Sequence, residues 1–322
     1  MISVYVRDKD GTVTADRVRP EWLLPASGVT VWVDISAPTA EDGRLLSDVF
    51  HFHPLSVEDA LSALQFPKIE SYTGYLYMVL HGIDVEAKVK DQGFSTRDVD
   101  FFLGPNYLVT VHDGDSMSIA RLRDVCPQHD RILGEGPVAL MHRIVDAMVD
   151  HYRPAVDAIE SRIDKLEEEA ILGRDRMVRQ LVRLRRDLAF MRRVLTPQRD
   201  VIGRLARREF PAISDEMAFR FRDVYDHVVR SSEEAIMFQD RVTGILEVNL
   251  ATVSNRLNRV MQVLTVMSTI FLPLTVLTGM WGMNIPLPHL PGGDAAQFWW
   301  VLLIMASISL SMLALFRRLG WL

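Results

Sequence analysis

Two stretches near the C-terminus carry no Asp, Glu, Lys or Arg. The first runs from Val260 to Gly293, 34 residues; the second runs from Ala295 to Phe316, 22 residues, with Asp294 between them. A bilayer core is crossed by about 20 apolar helical residues, so each stretch is long enough for one span. A chain with two such stretches cannot bury them all in a small soluble core. Averages conceal this: 48% hydrophobic, 24% charged and a net charge of −6 are ordinary for a globular protein of 322 residues. Nearly all the charge lies in the first 259 residues. The chain therefore reads as a soluble part followed by two membrane spans, at about residues 260–281 and 296–316.

The soluble part divides by pattern, and an α+β protein is expected. Residues 1–135 read as an α/β domain: "ISVYVRD", "VTVWVDIS" and "YLYMVLHGI" have the apolar and β-branched character of strands. "DVDFFLGPNYLVTVHDG" reads as two strands around Gly104-Pro105-Asn106, a hairpin signal. "HPLSVEDALSAL" reads as a short helix. Residues 136–256 read as a helical hairpin and a stalk helix, and residues 257–322 as the membrane domain. In the hairpin, Ile159, Ile163, Leu166 and Ile171 are spaced as on one helix face. Gly173 marks the turn, and Pro197 an end or kink of the second helix. From Asp215 to Gly279 the pattern is one helix, about 100 Å long at 1.5 Å per residue, half soluble and half in the membrane.

Mild acidity argues against nucleic acid as a partner. The lone cysteine, Cys126, can form neither an intramolecular disulfide nor a thiolate cage. The N-terminal "MISVYVRDKDGTV" lacks a basic start followed by an apolar stretch, so a cytoplasmic soluble part is expected. Arg256 and Arg259 precede the first span, Arg317 and Arg318 follow the second, and the loop between has no Lys or Arg. The positive-inside rule then places both termini in the cytoplasm of a multi-pass plasma (inner) membrane protein.

Read every three or four residues, the first span presents Asn258, Met261, Thr265, Ser268, Leu272, Thr275 and Gly279. Five of the seven are polar or small on an otherwise apolar helix. Lipid cannot satisfy hydroxyls and amides, so this line faces protein or water. It is either a packing seam, since small residues let helices approach, or the wall of a conduit built by several copies. Two spans cannot enclose a pore, so a conduit needs a symmetric ring. With no charge on the line, a cation would meet neutral oxygens. That suits Mg²⁺, which dehydrates reluctantly and keeps waters, and it avoids binding too deep for release.

The C-terminal part, from "FRDVYDHVV" through "VSNRLNRVMQVLTVMSTIFLPLTVLTGMWGMN" to "FRRLGWL", resembles the CorA family of divalent-cation transporters. The turn-forming Gly282-Met283-Asn284 at the outer end of the first of two C-terminal spans is the specific signal; the likeness is weaker but colinear back to about residue 50. It implies a funnel-shaped homopentamer in the lipid bilayer with a central pore lined by the first spans. Gly282, Met283 and Asn284 would form a selectivity filter, with Asn284 ringing the mouth and holding a hydrated ion. Asn258 and Thr275 would be further polar rings. Leu264 and Leu272 would be constrictions, and Met261 would face the pore. Asp223 would help bind a regulatory cation between neighbouring protomers, with His227 one turn on, Asp146 as a partner and Asp84 and Glu86 completing the site. Mg²⁺ would be both transported and regulatory, with Co²⁺, Ni²⁺ or Zn²⁺ as other cargo.

Plainer roles compete with these. Asp223 and His227 have the spacing of an ordinary i,i+4 pair, and Asn284 can cap a helix end. His289 reads as a solvated loop residue, and the remaining histidines share no zinc spacing. The chain departs from the family in Trp281 where Tyr is usual, in an outer loop whose only acid is Asp294, and in a tail with two arginines. Sparse acids in that loop slightly favour a zinc transporter resembling ZntB, with proton coupling; the intact Gly-Met-Asn favours Mg²⁺. A membrane-anchored sensor or scaffold without transport is a third reading, against which the uninterrupted line argues. No nucleophile–base pair or phosphate loop points to an enzyme.

Overall fold

A computed structural model describes residues 1–62, 65–84, 93–114, 116–171, 177–283 and 293–321. The chain divides into two compact units, Met1–Leu246 and Glu247–Leu322.

The first unit is built on a seven-stranded sheet: β1 (Ile2–Asp8), β2 (Gly11–Ala15), β3 (Thr30–Ser36), β4 (Lys68–Tyr72), β5 (Tyr75–Ile83), β6 (Thr96–Leu103) and β7 (Tyr107–His112). Their spatial order is β2-β1-β3-β7-β6-β5-β4. Only β3 and β7 pair in parallel, with Val33 opposite Val109; every other neighbour is antiparallel. The hairpin expected around Gly104-Pro105-Asn106 is the β6–β7 connection. A Cβ on Gly104 would lie 2.2 Å from the Tyr107 ring, so the turn needs glycine there.

Alternation along the strands builds two cores. Trp32, Met78, Leu80, Phe101 and Leu108 point to one face, where they meet α5 (Pro137–Asp150), the end of α7 (Met177–Ala206) and the start of α8 (Asp215–Trp281). Val31, Val33, Tyr77, Val79, Phe102 and Val109 point to the other, beneath Leu46, Phe50 and Phe52, which follow α1 (Ala40–Arg44), and beneath α2 (Pro54–Leu61). The shorter helices α3 (Met117–Val125) and α4 (Arg131–Gly134) precede α5. A third core joins α6 (Tyr152–Ile171) to α7 and α8 through Ile159, Ile163 and Leu166 against Leu181, Leu184, Leu188 and Phe238. Pro197 does not end α7, for the helix runs on to Ala206.

One buried carboxyl bears on stability. Asp100 accepts a hydrogen bond from the buried Tyr77 hydroxyl. Burial, offset only in part by that bond, pushes the Asp100 carboxyl up to about 7.

In the second unit α8 continues to Trp281 and α9 spans Gly293–Arg318. Both are long and apolar enough to cross a membrane. Single prolines do not stop such helices: Pro273 lies inside α8.

Candidate ion path and acidic group

At 3.6 residues per turn, Gln262, Val266, Thr269, Ile270, Pro273 and Leu277 share one side of α8, and each is at least partly covered. Val266 is 7% exposed. Met261, Ser268, Leu272, Thr275 and Gly279 lie well round the helix from the middle of that side, Asn258 and Thr265 lie beside its edge, and all seven are exposed within the chain. Leu272 is 69% exposed and Met261 59%, and Leu264 is exposed beside them. A Cβ on Gly279 would meet no atom within 4 Å. From Ser268 to Gly279 the line of small and polar residues is thus not the seam by which this second unit covers α8, while Asn258, Met261 and Thr265 border a groove shared with Leu319, Gly320 and Trp321.

The hydroxyls on α8 are oriented by the helix itself. Thr265 Oγ1 donates to the Met261 carbonyl at 2.7 Å, and Thr275 Oγ1 donates to the Phe271 carbonyl at 2.8 Å. Thr269 and Thr278 do the same, to Thr265 and Thr275. A hydroxyl has one donor and two acceptor sites. With the donor spent on the backbone, what Thr265 and Thr275 offer outward is acceptors. Metal-bound water turns its hydrogens outward, so acceptors are the complement of a hydrated cation. The helix then closes: Gly282 N donates to the Thr278 carbonyl at 2.9 Å, and Met283 N to the Met280 carbonyl at 3.3 Å. A Cβ on Gly282 would stand 3.2 Å from the Thr278 carbonyl oxygen, crowding that last turn. Asn284, His289 and Glu86 lie outside the described residues.

In the first unit, α5 and α8 bring together four of the groups that matter. His227 Nδ1 is 3.5 Å from Asp150 Oδ1. Burial raises the Asp146 carboxyl above its ordinary value, and the neighbouring charges of Asp150 and Asp223 push the same way, against His142 and His227. Asp146, Asp223 and His227 are therefore neighbours, and Asp150, one turn after Asp146, completes the group. The sequence reading omitted Asp150, although its i,i+4 spacing from Asp146 was the available signal. His142 packs edge-on against Phe221 at 5.0 Å, and burial lowers its basicity. Asp84 stands in other company: its carboxylate meets Arg97 Nε at 3.3 Å, in a cavity shared with Asp98, Asp100 and His112. Among the described residues no three His, Cys, Asp or Glu side chains converge to hold a metal ion within one chain.

A family model described as CorA-like Mg²⁺ transporter protein matches residues 27–318. The chain belongs to the CorA family. The cobalt/magnesium transport protein CorA of Thermotoga maritima is 32% identical over 313 residues, 94% of this chain and 87% of the relative. Bacillus subtilis YfjQ is 34% identical over 296 residues, 90% of this chain and 89% of the relative. The complete structure of the CorA magnesium transporter from Methanocaldococcus jannaschii superposes with a TM-score of 0.81 at 22% identity, covering 99% of this chain and 98% of that one. The α/β domain, the long helix and the two C-terminal apolar helices are the CorA architecture. The family is one of membrane ion transporters.

Proposed function

We propose that this CorA-family chain passes Mg²⁺ through a central pore made by a ring of copies, five by family likeness, with the line from Asn258 to Gly279 as its wall. The observation that carries this reading is the outward-facing line on α8, whose threonines spend their donors on the helix and keep acceptors for an ion's water shell. Gly282, Met283 and Asn284 are the filter at the mouth. Met261, Leu264 and Leu272 are apolar rungs where the ion passes with its waters or not at all. Both termini are cytoplasmic; a cysteine replacing Gly293 would label from outside and one replacing Arg318 from inside.

Control of the pore belongs to the acidic group of the first unit. Asp146, Asp150 and Asp223 repel one another, and half-buried Asp146 is the least content when ionised. Since one chain holds no complete metal site among its described residues, the remaining ligands come from a neighbouring copy. A cation bound there relieves the repulsion and favours the closed ring. The same helix, α8, carries Asp223 and the pore-lining residues, so occupancy at the first biases the second.

The direct test is uptake by vesicles holding the purified protein, with Mg²⁺ and Zn²⁺ compared with and without a pH gradient. Mg²⁺ uptake indifferent to the pH gradient is the expected result. Zn²⁺ uptake that rises with a proton gradient, without Mg²⁺ uptake, would replace this reading by the zinc one, and no uptake of either would leave a sensor or scaffold.

A further inference from the structure

The end of the chain forms a hook that the transport reading does not use. Helix α9 stops in a Schellman arrangement: Trp321 N donates to the Phe316 carbonyl at 2.9 Å, and Gly320 N donates to the Arg317 carbonyl at 3.3 Å. Gly320 takes φ +71°, the left-handed conformation that this motif demands and that a Cβ disfavours. The apolar contact that accompanies the motif is present, with the Trp321 ring stacked on Phe316 at 5.8 Å. These constraints aim the Trp321 carbonyl at the first span, where it accepts from Gln262 Nε2 at 3.1 Å.

The position of Gln262 gives this contact its consequence. It follows Met261 directly, lies one turn after Asn258 and three residues before Thr265, and so flanks the inner end of the polar line. Asn258, Met261, Gln262 and Thr265 share one groove with Leu319, Gly320 and Trp321. A helix turns 100° per residue, so a rotation of α8 about its axis by some tens of degrees (~50°, half that step) would carry Asn258 and Met261 off their bearing and bring Leu257 and Val260 toward it. Apolar packing resists such a rotation weakly, because Leu257 and Val260 are themselves apolar and already exposed. A directional hydrogen bond resists it well.

Resting on the pore reading above, we propose that the C-terminal hook positions the first span: the Gln262–Trp321 bond sets the rotation of α8 at its inner end and so aims Asn258, Met261 and Thr265. Gln262 and Gly320 are positioning residues and touch no ion. Gln262→Leu removes the donor. Gln262→Glu removes it too, while adding a charge that would attract cations. Gly320→Val breaks the hook and leaves both Gln262 and the line unchanged.

The test uses full-length protein in vesicles. Single cysteines are introduced at residues 257, 258, 260 and 261 and probed from the cytosolic side with a charged thiol reagent, the native Cys126 being buried. With the hook intact, labelling is fastest at 258 and 261. In the Gly320→Val and Gln262→Leu backgrounds, labelling at 258 and 261 should slow and that at 257 and 260 should quicken. Mg²⁺ uptake should fall about fivefold, the weight of one hydrogen bond, in both Gln262→Leu and Gln262→Glu, with half-saturation by external Mg²⁺ unchanged. An unaltered labelling pattern in both backgrounds would reduce the hook to a helix cap. So would a Gln262→Glu variant that transports faster than the wild type, since Gln262 would then act by charge. If the wild type moved no Mg²⁺ at all, the pore reading would fail, yet the labelling pattern would still report on the hook.

Discussion

Thr275→Val tests the acceptor line most directly, because the structure separates what the hydroxyl does for the helix from what it offers outward. Thr275 Oγ1 already donates to the Phe271 carbonyl at 2.8 Å. Valine keeps the shape of threonine, and the Phe271 carbonyl keeps its ordinary partner, the backbone N–H one turn on. Stability should therefore move by no more than about 1 kcal/mol per chain. On the proposed pore reading, what disappears is one acceptor per copy facing the path. A hydrated ion at that level meets two or three of them at once, each worth about 1 kcal/mol. The passing ion would then lose about 2–3 kcal/mol, or on the order of 30- to 150-fold in flux through that rung. Mg²⁺ entry into vesicles, followed by an internal indicator, measures the loss, with size-exclusion chromatography as the check on assembly. Thr275→Ser should transport nearly as the wild type does. Equal flux in Thr275→Val and wild type would refute the argument, because the hydroxyl would then serve only the helix.

Other expectations are as direct. Asn284→Ala should lower Mg²⁺ uptake further than Thr275→Val does and leave assembly intact; unchanged uptake would make Asn284 a helix cap and nothing more. Asp146→Ala with Asp223→Ala should weaken inhibition by internal Mg²⁺ without altering the preference among external ions, and currents that superimpose on the wild type at every internal Mg²⁺ concentration would dismiss both as sensors. Asp100→Asn addresses stability. A free aspartate titrates near 3.9, whereas the buried Asp100 carboxyl lies at about 7. Between those values the folded state holds a proton that the unfolded state has released, so native stability falls as pH rises from 4 to 7. The variant keeps an acceptor for the Tyr77 hydroxyl without the charge. It should melt higher than the wild type at pH 8, by the equivalent of about 4 kcal/mol, and no higher at pH 4; an equal shift at both would point to packing instead.

The strands named from their β-branched character all formed, since alternation on a two-sided sheet leaves a strong imprint in Val31–Ile35, Tyr75–Ile83 and Val99–Leu103. Two edge strands left too little imprint to be named. "GTVTA" and "KIESY" are short and half polar, and they become β2 and β4 only because β1 and β5 offer them an edge. Of the end or kink expected at Pro197, the end is not found: α7 runs on to Ala206, where packing of Leu195, Val201 and Ile202 into two cores outweighs one missing backbone bond. Among the candidate sites, Asp146, Asp223 and His227 were named together by likeness, but their meeting depends on how α5 and α8 cross. That crossing also decides that His227 faces Asp150, whereas the β5–β6 register takes Asp84 to Arg97.

By itself, the sequence determined the features that depend on local periodicity and on charge: two stretches that lipid accepts, one helix reaching from Asp215 to the end of the first span, and a polar line at helical spacing. These follow from chain composition because hydration of charge and the 3.6-residue turn act on neighbours along the chain. Only the tertiary structure decided that Val266 is covered while Ser268, Leu272, Thr275 and Gly279 stay open, and that Trp321 returns to Gln262. Those outcomes depend on which side of α8 its partners occupy, and a helix carries no mark of that until the partners have packed.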